Sequence, residues 1–297
     1  MSEKNKTVYF KRNKYRADEF SVNDLPLSRR QQFFDILKND WKTLLFLGLI
    51  ILLASLPYIT LNIMYWFIRS NLRAQLLADG GTEEMVFKGL QLTDILYEAI
   101  CVPATLILVI PFAGAARVMK RLVHGEGVLF KDDFFEGIKM NSLQFLVIIF
   151  IYSVLRFLMQ FAYIMIYNIP TMSEIIYGVS NGLLYLIFVP ILLFMLTQAS
   201  IYKIKFFLNF KNSYQLAIHS IFVMFIFALI IFGVYFLRYI THPILRGGMD
   251  TLIFVLSPLY LLALNLYTMS RFDIFINKDY YPEIYRKGLR PYEVKED

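Results

Sequence analysis

LLFLGLIILLASLPYITLNIMYWFI, residues 44–68, runs for 25 positions without a charged side chain. A bilayer core about 30 Å thick needs roughly 20 apolar residues in a helix, so this stretch reads as a membrane span rather than a buried strand or core helix. Working outward, further apolar runs bounded by charge or turn residues lie at 95–116, 143–167, 175–202, 216–237 and 251–269. Six spans are therefore expected in an all-α, polytopic membrane helical bundle. The chain divides into a basic arm with an amphipathic entry helix (1–40), a six-helix transmembrane domain (41–270) and a C-terminal tail (271–297).

Composition agrees. Of 297 residues 58% are hydrophobic and 18% charged, against roughly 45–50% and about 25% in soluble domains, which excludes an ordinary soluble globule. The single Cys101 cannot form an intramolecular disulfide or a multi-thiolate site. Residues 1–40 lack the apolar core and small-residue cleavage site of a signal peptide, so the first span is expected to direct insertion. The net charge of +7 is not read as nucleic-acid binding, since no basic, aromatic-studded soluble module accompanies it.

Lys and Arg instead give direction. Ten precede the first span, and the second loop, fourth loop and tail hold 5, 3 and 6; the first, third and fifth loops hold 3, 0 and 2. The positive-inside rule puts both termini in the cytoplasm of a multi-pass plasma-membrane protein. On the outside, about 26 residues surround the turn signal Asp79-Gly80-Gly81-Thr82, with flanks that extend spans one and two as helices. Asn168-Ile169-Pro170-Thr171-Met172-Ser173-Glu174 is short enough to close a tight hairpin between spans three and four. Residues 1–24, polar and without periodicity, read as a disordered arm.

The chain has three Phe-Phe pairs, each just before an odd-numbered span and each in the frame Phe-Phe-x-x-apolar-Lys: Phe33-Phe34 with Lys38, Phe134-Phe135 with Lys139, and Phe206-Phe207 with Lys211. On a helix the pair and the later apolar residue share a face while Lys reaches lipid phosphate, which describes an interfacial or partner-binding entry helix. The even spans carry Pro103 or Pro111, Pro190 and Pro258. Three parallel helical-hairpin repeats are expected.

Three stretches also carry a family likeness: Ser55-Leu56-Pro57-Tyr58-Ile59-Thr60; then Pro111-Phe112-Ala113-Gly114 leading through Arg117, Lys120 and Arg121 to Gly125-Glu126-Gly127-Val128, Phe130, Asp133, Phe134, Lys139 and Asn141; and Ile276-Asn277-Lys278 with Tyr281-Pro282-Glu283-Ile284-Tyr285-Arg286-Lys287-Gly288-Leu289. Together they resemble the YesL-like family of bacterial integral membrane proteins, a family without an established activity. The resemblance implies an accessory role beside carbohydrate uptake or degradation. The long first outer loop departs from that family's pattern.

Catalytic parts are not assembled in the sequence. His124 and His219 fall on the inner side and His242 on the outer, so the three cannot share a metal, and no zinc-protease, nucleophile-elbow or phosphate-loop motif occurs. Gly125-Glu126-Gly127 reads as a turn and Asp132-Asp133 as a helix N-terminus. No enzyme activity, metal or cofactor is expected.

Arg156 is the exception that demands a partner, since a guanidinium about 20 Å into span three costs several kcal/mol unpaired. Glu98, the one acid within the spans as drawn, is expected at the same depth. The pair reads either as a structural ion pair or as an anion or sugar-acid site. Asn62, Gln160, Asn181, Thr197, Gln198 and Asn265 read as helix-to-helix hydrogen bonders. Tyr163, Tyr167, Tyr177 and Tyr185 read as an interfacial aromatic belt. The expected function is a non-enzymatic accessory or interaction component linked to carbohydrate uptake, with a carbohydrate permease subunit as partner and held by the lipid bilayer and the Phe-rich entry helices; the alternative is a small-solute transporter or channel with Arg156 in its pathway.

Overall fold

The structure, a computed structural model, describes residues 25–166, 170–202, 204–236 and 243–291. The basic arm 1–24, Tyr167, Asn168, Ile169 and His242 lie outside the described residues. Helix α1 (Arg29–Asn39) starts where Ser28 Oγ accepts from the Gln31 amide at 3.2 Å while Gln31 Oε1 accepts from the Leu27 amide at 3.0 Å, a reciprocal cap. Asp40 alone separates it from α2 (Trp41–Ala78). At 1.5 Å per residue α2 is about 57 Å long, so it is longer than a bilayer core is thick and its end forms part of the link to α3. Thr82 then caps α3 (Glu83–Ile107), which carries Glu83 and Glu84 in its first turn.

After one residue, Leu108, α4 (Val109–Val123) continues the same crossing. α5 (Phe130–Ile166) fuses the second entry segment and the third span. α6 (Pro170–Leu183), a π-helical turn (Leu184–Phe188) and α7 (Val189–Ile201) form the fourth, with Pro190 just beyond the π turn. α8 (Phe206–His219) and α9 (Ile221–Phe236) meet at 103°. α10 (Pro243–Phe272) runs through a second π turn (Asp273–Asn277) into the short α11 (Lys278–Tyr280). No strand occurs among the described residues.

Five of these helices are long and apolar enough to span a membrane among the described residues, or six where the bent pair α8–α9 is one span. The bend falls inside the expected fifth span, with positions 216–219 in α8 and 221–236 in α9. Helix α7 is the centre. All its residues but Leu196 are buried, as expected of a helix apolar on every side, and Phe194 and Met195 join Met119, Phe272 and Ile148 in the core. The first and last spans pack side by side. A Cβ at Gly48 would stand 2.2 Å from the Val255 carbonyl oxygen, so only glycine permits the approach of α2 to α10.

The segment after residue 270 is no loose tail. Arg29 donates to the Val123 carbonyl at 3.4 Å, the Lys287 carbonyl at 2.9 Å and Asp273 at 2.8 Å. Gln32 Nε2 donates to the Val123 carbonyl at 2.7 Å, and the Tyr202 hydroxyl donates to Asn277. Gly288, at φ 82°, sits where a Cβ would be 2.3 Å from the Val123 oxygen. Residues 281–290 are thereby strapped across the ends of α1 and α4, and the Arg290 amide donates to the Pro26 carbonyl at 3.0 Å.

Candidate functional site

The polar interior lies between α2, α3, α5 and α10, and α2 shows why. Tyr58, Asn62, Tyr65 and Arg69 recur at intervals of four, three and four, one helical face. Opposite them α3 presents Asp94, Tyr97, Glu98, Cys101 and Thr105. The innermost layer is the pair read from the sequence: Arg156 Nη2 of α5 lies 2.9 Å from Glu98 Oε2, with Glu98 2% exposed. Tyr58, Cys101 and Tyr152 surround the guanidinium. Beside it opens a cavity of about 10 Å³ lined by Glu98, Cys101, Val102, Thr105, Tyr152, Ser153 and Arg156, on the order of one water molecule. Thr105 and Ser153 hydroxyls donate to their own helices at 2.7 and 2.8 Å.

Toward the Asp79–Gly80 turn come two further layers that sequence reasoning missed. Asn62 Nδ2 donates to Asp250 Oδ2 at 3.4 Å, Tyr97 donates to Asn62, and buried Arg246 sits one helical turn before Asp250. Beyond, Tyr65 stacks on Tyr97 with centroids 3.8 Å apart, and its hydroxyl donates to Asp94 at 2.7 Å, where Arg69 Nε also donates at 3.0 Å. Glu98 is therefore not the only acid on a spanning helix. Asp94 and Asp250 escaped because α3 and α10 begin well before the apolar windows that marked them. A signal existed: the tyrosine, asparagine and arginine of α2 share one face. Three arginines thus stand beside three carboxylates, two of the layers buried and the third open at Arg69, so the charges of the stack balance in number.

The other expected residues are placed as follows. In each Phe pair the first ring packs on the core and the second points outward, Phe34 59%, Phe135 60% and Phe207 84% exposed. The rings of each pair stand edge to face, 5.4, 5.9 and 5.8 Å apart at 89°, 85° and 84°. Lys38, Lys139 and Lys211 are exposed. Leu37 and Ile138 pack on the core whereas Phe210, in the same frame, is exposed. Tyr163 and Tyr177 lie 4.7 Å apart at the third-to-fourth hairpin. Tyr185 instead is buried against Phe232, so it does not belong to an interfacial belt. Asn62 and Gln198 bond across helices, but Asn181, Thr197 and Asn265 bond back to their own.

At the α1 end, Asp133 Oδ2 accepts from the Leu129 amide at 2.8 Å at the start of α5 while Oδ1 meets Arg121 at 2.6 Å. Glu126 contacts the His124 ring at 3.7 Å and Lys287 Nζ at 2.7 Å, which together hold its carboxyl at about 2 against the opposing effect of burial. Burial holds the His124 ring below its ordinary value. No group of three or more His, Cys, Asp or Glu among the described residues is arranged to hold a metal ion.

Comparison with family models, curated proteins and solved structures finds no match to this chain.

Proposed function

We propose that the chain is a small-solute transporter or channel of the bacterial plasma membrane, with both termini cytoplasmic, that takes an anionic solute at Arg156. One observation carries the reading: a stack of three arginine–carboxylate layers between α2, α3, α5 and α10, buried at Arg156–Glu98 and Arg246–Asp250 and opening outward at Arg69–Asp94, where the arginine side chain is 38% exposed. Charges inside spans are costly, and where they occur they commonly mark a substrate or ion path. A solute carboxylate would replace Glu98 on the Arg156 fork, which suits a planar two-oxygen partner, while Tyr58 and Tyr152 offer hydroxyls beside it. A carboxylate partner for Arg156, taken with the carbohydrate association that the resemblance to YesL-like proteins implies, makes sugar acids the solute class to test. The surplus of Lys and Arg at the α1 end supports the orientation.

The test is uptake of uronic acids, with neutral hexoses as controls, into liposomes containing the purified chain. Saturable uronate uptake that Arg156→Leu abolishes and Arg156→Lys weakens is expected. A folded, unchanged protein that moves no member of the panel sinks the reading.

The accessory reading keeps one favouring observation, the outward rings of Phe34, Phe135 and Phe207 beside exposed lysines. It proposes a carbohydrate permease subunit as partner. Mild-detergent affinity purification with quantitative mass spectrometry tests it: stoichiometric recovery of a permease subunit is expected, and a partnerless protein overturns it.

A further inference from the structure

Helix α8 has three faces where most helices have two. Asn209, Ser213, Leu216 and Ala217 are buried. Phe207, Phe210, Tyr214 and Ile218 are exposed and apolar, and Lys211, Gln215 and His219 form a polar exposed face that also carries Leu208. At 100° per residue the two exposed faces lie roughly 95° apart, and the buried face about 120° from the apolar one and about 145° from the polar one. The buried face is half polar. Asn209 Nδ2 donates to the Met195 carbonyl at 3.0 Å, Gln198 Nε2 to Ser213 at 3.0 Å, and Ser213 to Asn209 at 3.2 Å. These bonds add to the apolar packing of Phe206, Leu216 and Ala217 in fastening α8 to the bundle, and they leave Phe207, Phe210 and Tyr214 outside.

An apolar face left outside a folded chain is covered by something. Here the adjoining helix points to what. Beyond the 103° elbow Phe222, Ile226 and Ile230 of α9, which with α8 passes as a candidate membrane span, are likewise apolar and exposed. Lys205 and Lys211 edge the same helix and are exposed, and long lysine stems extend along apolar surface to reach a headgroup phosphate. We infer that α8 lies in the plane of the membrane surface and binds anionic phospholipid, with acyl chains against Phe207, Phe210, Tyr214 and Ile218, phosphate at Lys205 and Lys211, and water over Gln215 and His219. Amphipathic in-plane helices bind in this manner, by apolar area together with attraction to anionic lipid. The reading goes beyond solute binding at Arg156 and does not depend on it.

The test uses the full chain in bilayers. The only two tryptophans, Trp41 and Trp66, are replaced by Phe, and one reporter is installed at a time: Phe207→Trp, Tyr214→Trp or Gln215→Trp. Emission is quenched by phosphatidylcholine brominated along the acyl chain, in nanodiscs of phosphatidylcholine alone or with phosphatidylglycerol. About twofold stronger quenching at 207 and 214 than at 215 is expected, increased by phosphatidylglycerol, with Lys211→Glu cancelling that increase. Equal quenching at all three positions, or none at 207 and 214, overturns the placement and means that water or another protein covers the face. Quenching at 207 and 214 that ignores phosphatidylglycerol overturns the anionic-lipid assignment. Two reporters on one face keep the result readable should one substitution disturb folding.

Discussion

Arg29 and Asp273 stand 244 positions apart in the chain and 2.8 Å apart in space, each about nine-tenths buried. The same guanidinium holds Gln32 and the carbonyls of Val123 and Lys287, so one side chain ties the first helix, the end of the second crossing and the final strap. Removing one partner of a buried pair costs about 3–5 kcal/mol. Arg29→Met is expected to lower thermal stability in detergent by a cost of that order and to open the strap to trypsin at Arg286 and Lys287. Wild-type resistance to cleavage in the variant would contradict the tie.

Acid should loosen the same strap. Burial lowers the His124 proton affinity below its ordinary 6.5, so the unfolded chain takes up the proton first, and the stability given by the neutral ring is present above pH 6.5 and lost as pH falls through the lower folded value. Glu126 lies at about 2 in the folded protein against an ordinary 4.5, and its contribution is full above pH 4.5 and lost as pH falls toward 2. Lys120 and Lys287 also face this pair. Hydrogen exchange at 281–290 is expected to quicken below pH 6.5 and again below 4.5, beyond the intrinsic pH dependence of exchange. His124→Gln should remove the first step.

Arg156→Leu leaves Glu98 buried without its guanidinium, and Glu98→Leu does the reverse. Each is expected to cost about 3 kcal/mol, and the double variant should recover a large part of the loss because an apolar pair replaces an ionic one. Thermal unfolding of the four proteins in one detergent measures this. Strictly additive losses would mean that the two residues are not coupled.

Gly48→Ala sets a methyl 2.2 Å from the Val255 oxygen and must push α2 from α10, at about 1–3 kcal/mol. Gly178→Ala, a helical position with nothing within 4 Å, is the control, expected to be stabilising by about 0.5–1 kcal/mol. Melting temperatures distinguish them.

The crossings were legible because apolar length is a property of the local sequence, and Arg156 and Glu98 were legible because each is a lone charge in a long apolar run. Asp94, Arg69, Arg246 and Asp250 were not, since a hydropathy window ends where charges begin while the helix does not. The elbow at Ser220 was hidden for a related reason: His219 and Ser220 are only two polar residues between apolar stretches, so a hydropathy window runs through them, while the bonds of Asn209 and Ser213 to α7 that accompany the turn join residues distant from it. The strap was invisible because its polar residues read as solvated, and their partners, Arg29 and Gln32, lie some 250 positions away.

The pairing of first and last spans through Gly48 and Val255 also sets a schedule for manufacture. A ribosome adding roughly 5–20 residues per second needs about 10–40 s after position 48 to deliver position 255. Through that interval α2 has α3 against its polar face, through Tyr97 and Asp94, but neither α10 to seat on nor Asp250 for Asn62. Truncation anywhere before α10 would therefore leave a chain that enters the membrane and cannot close, a natural substrate for membrane quality-control proteases.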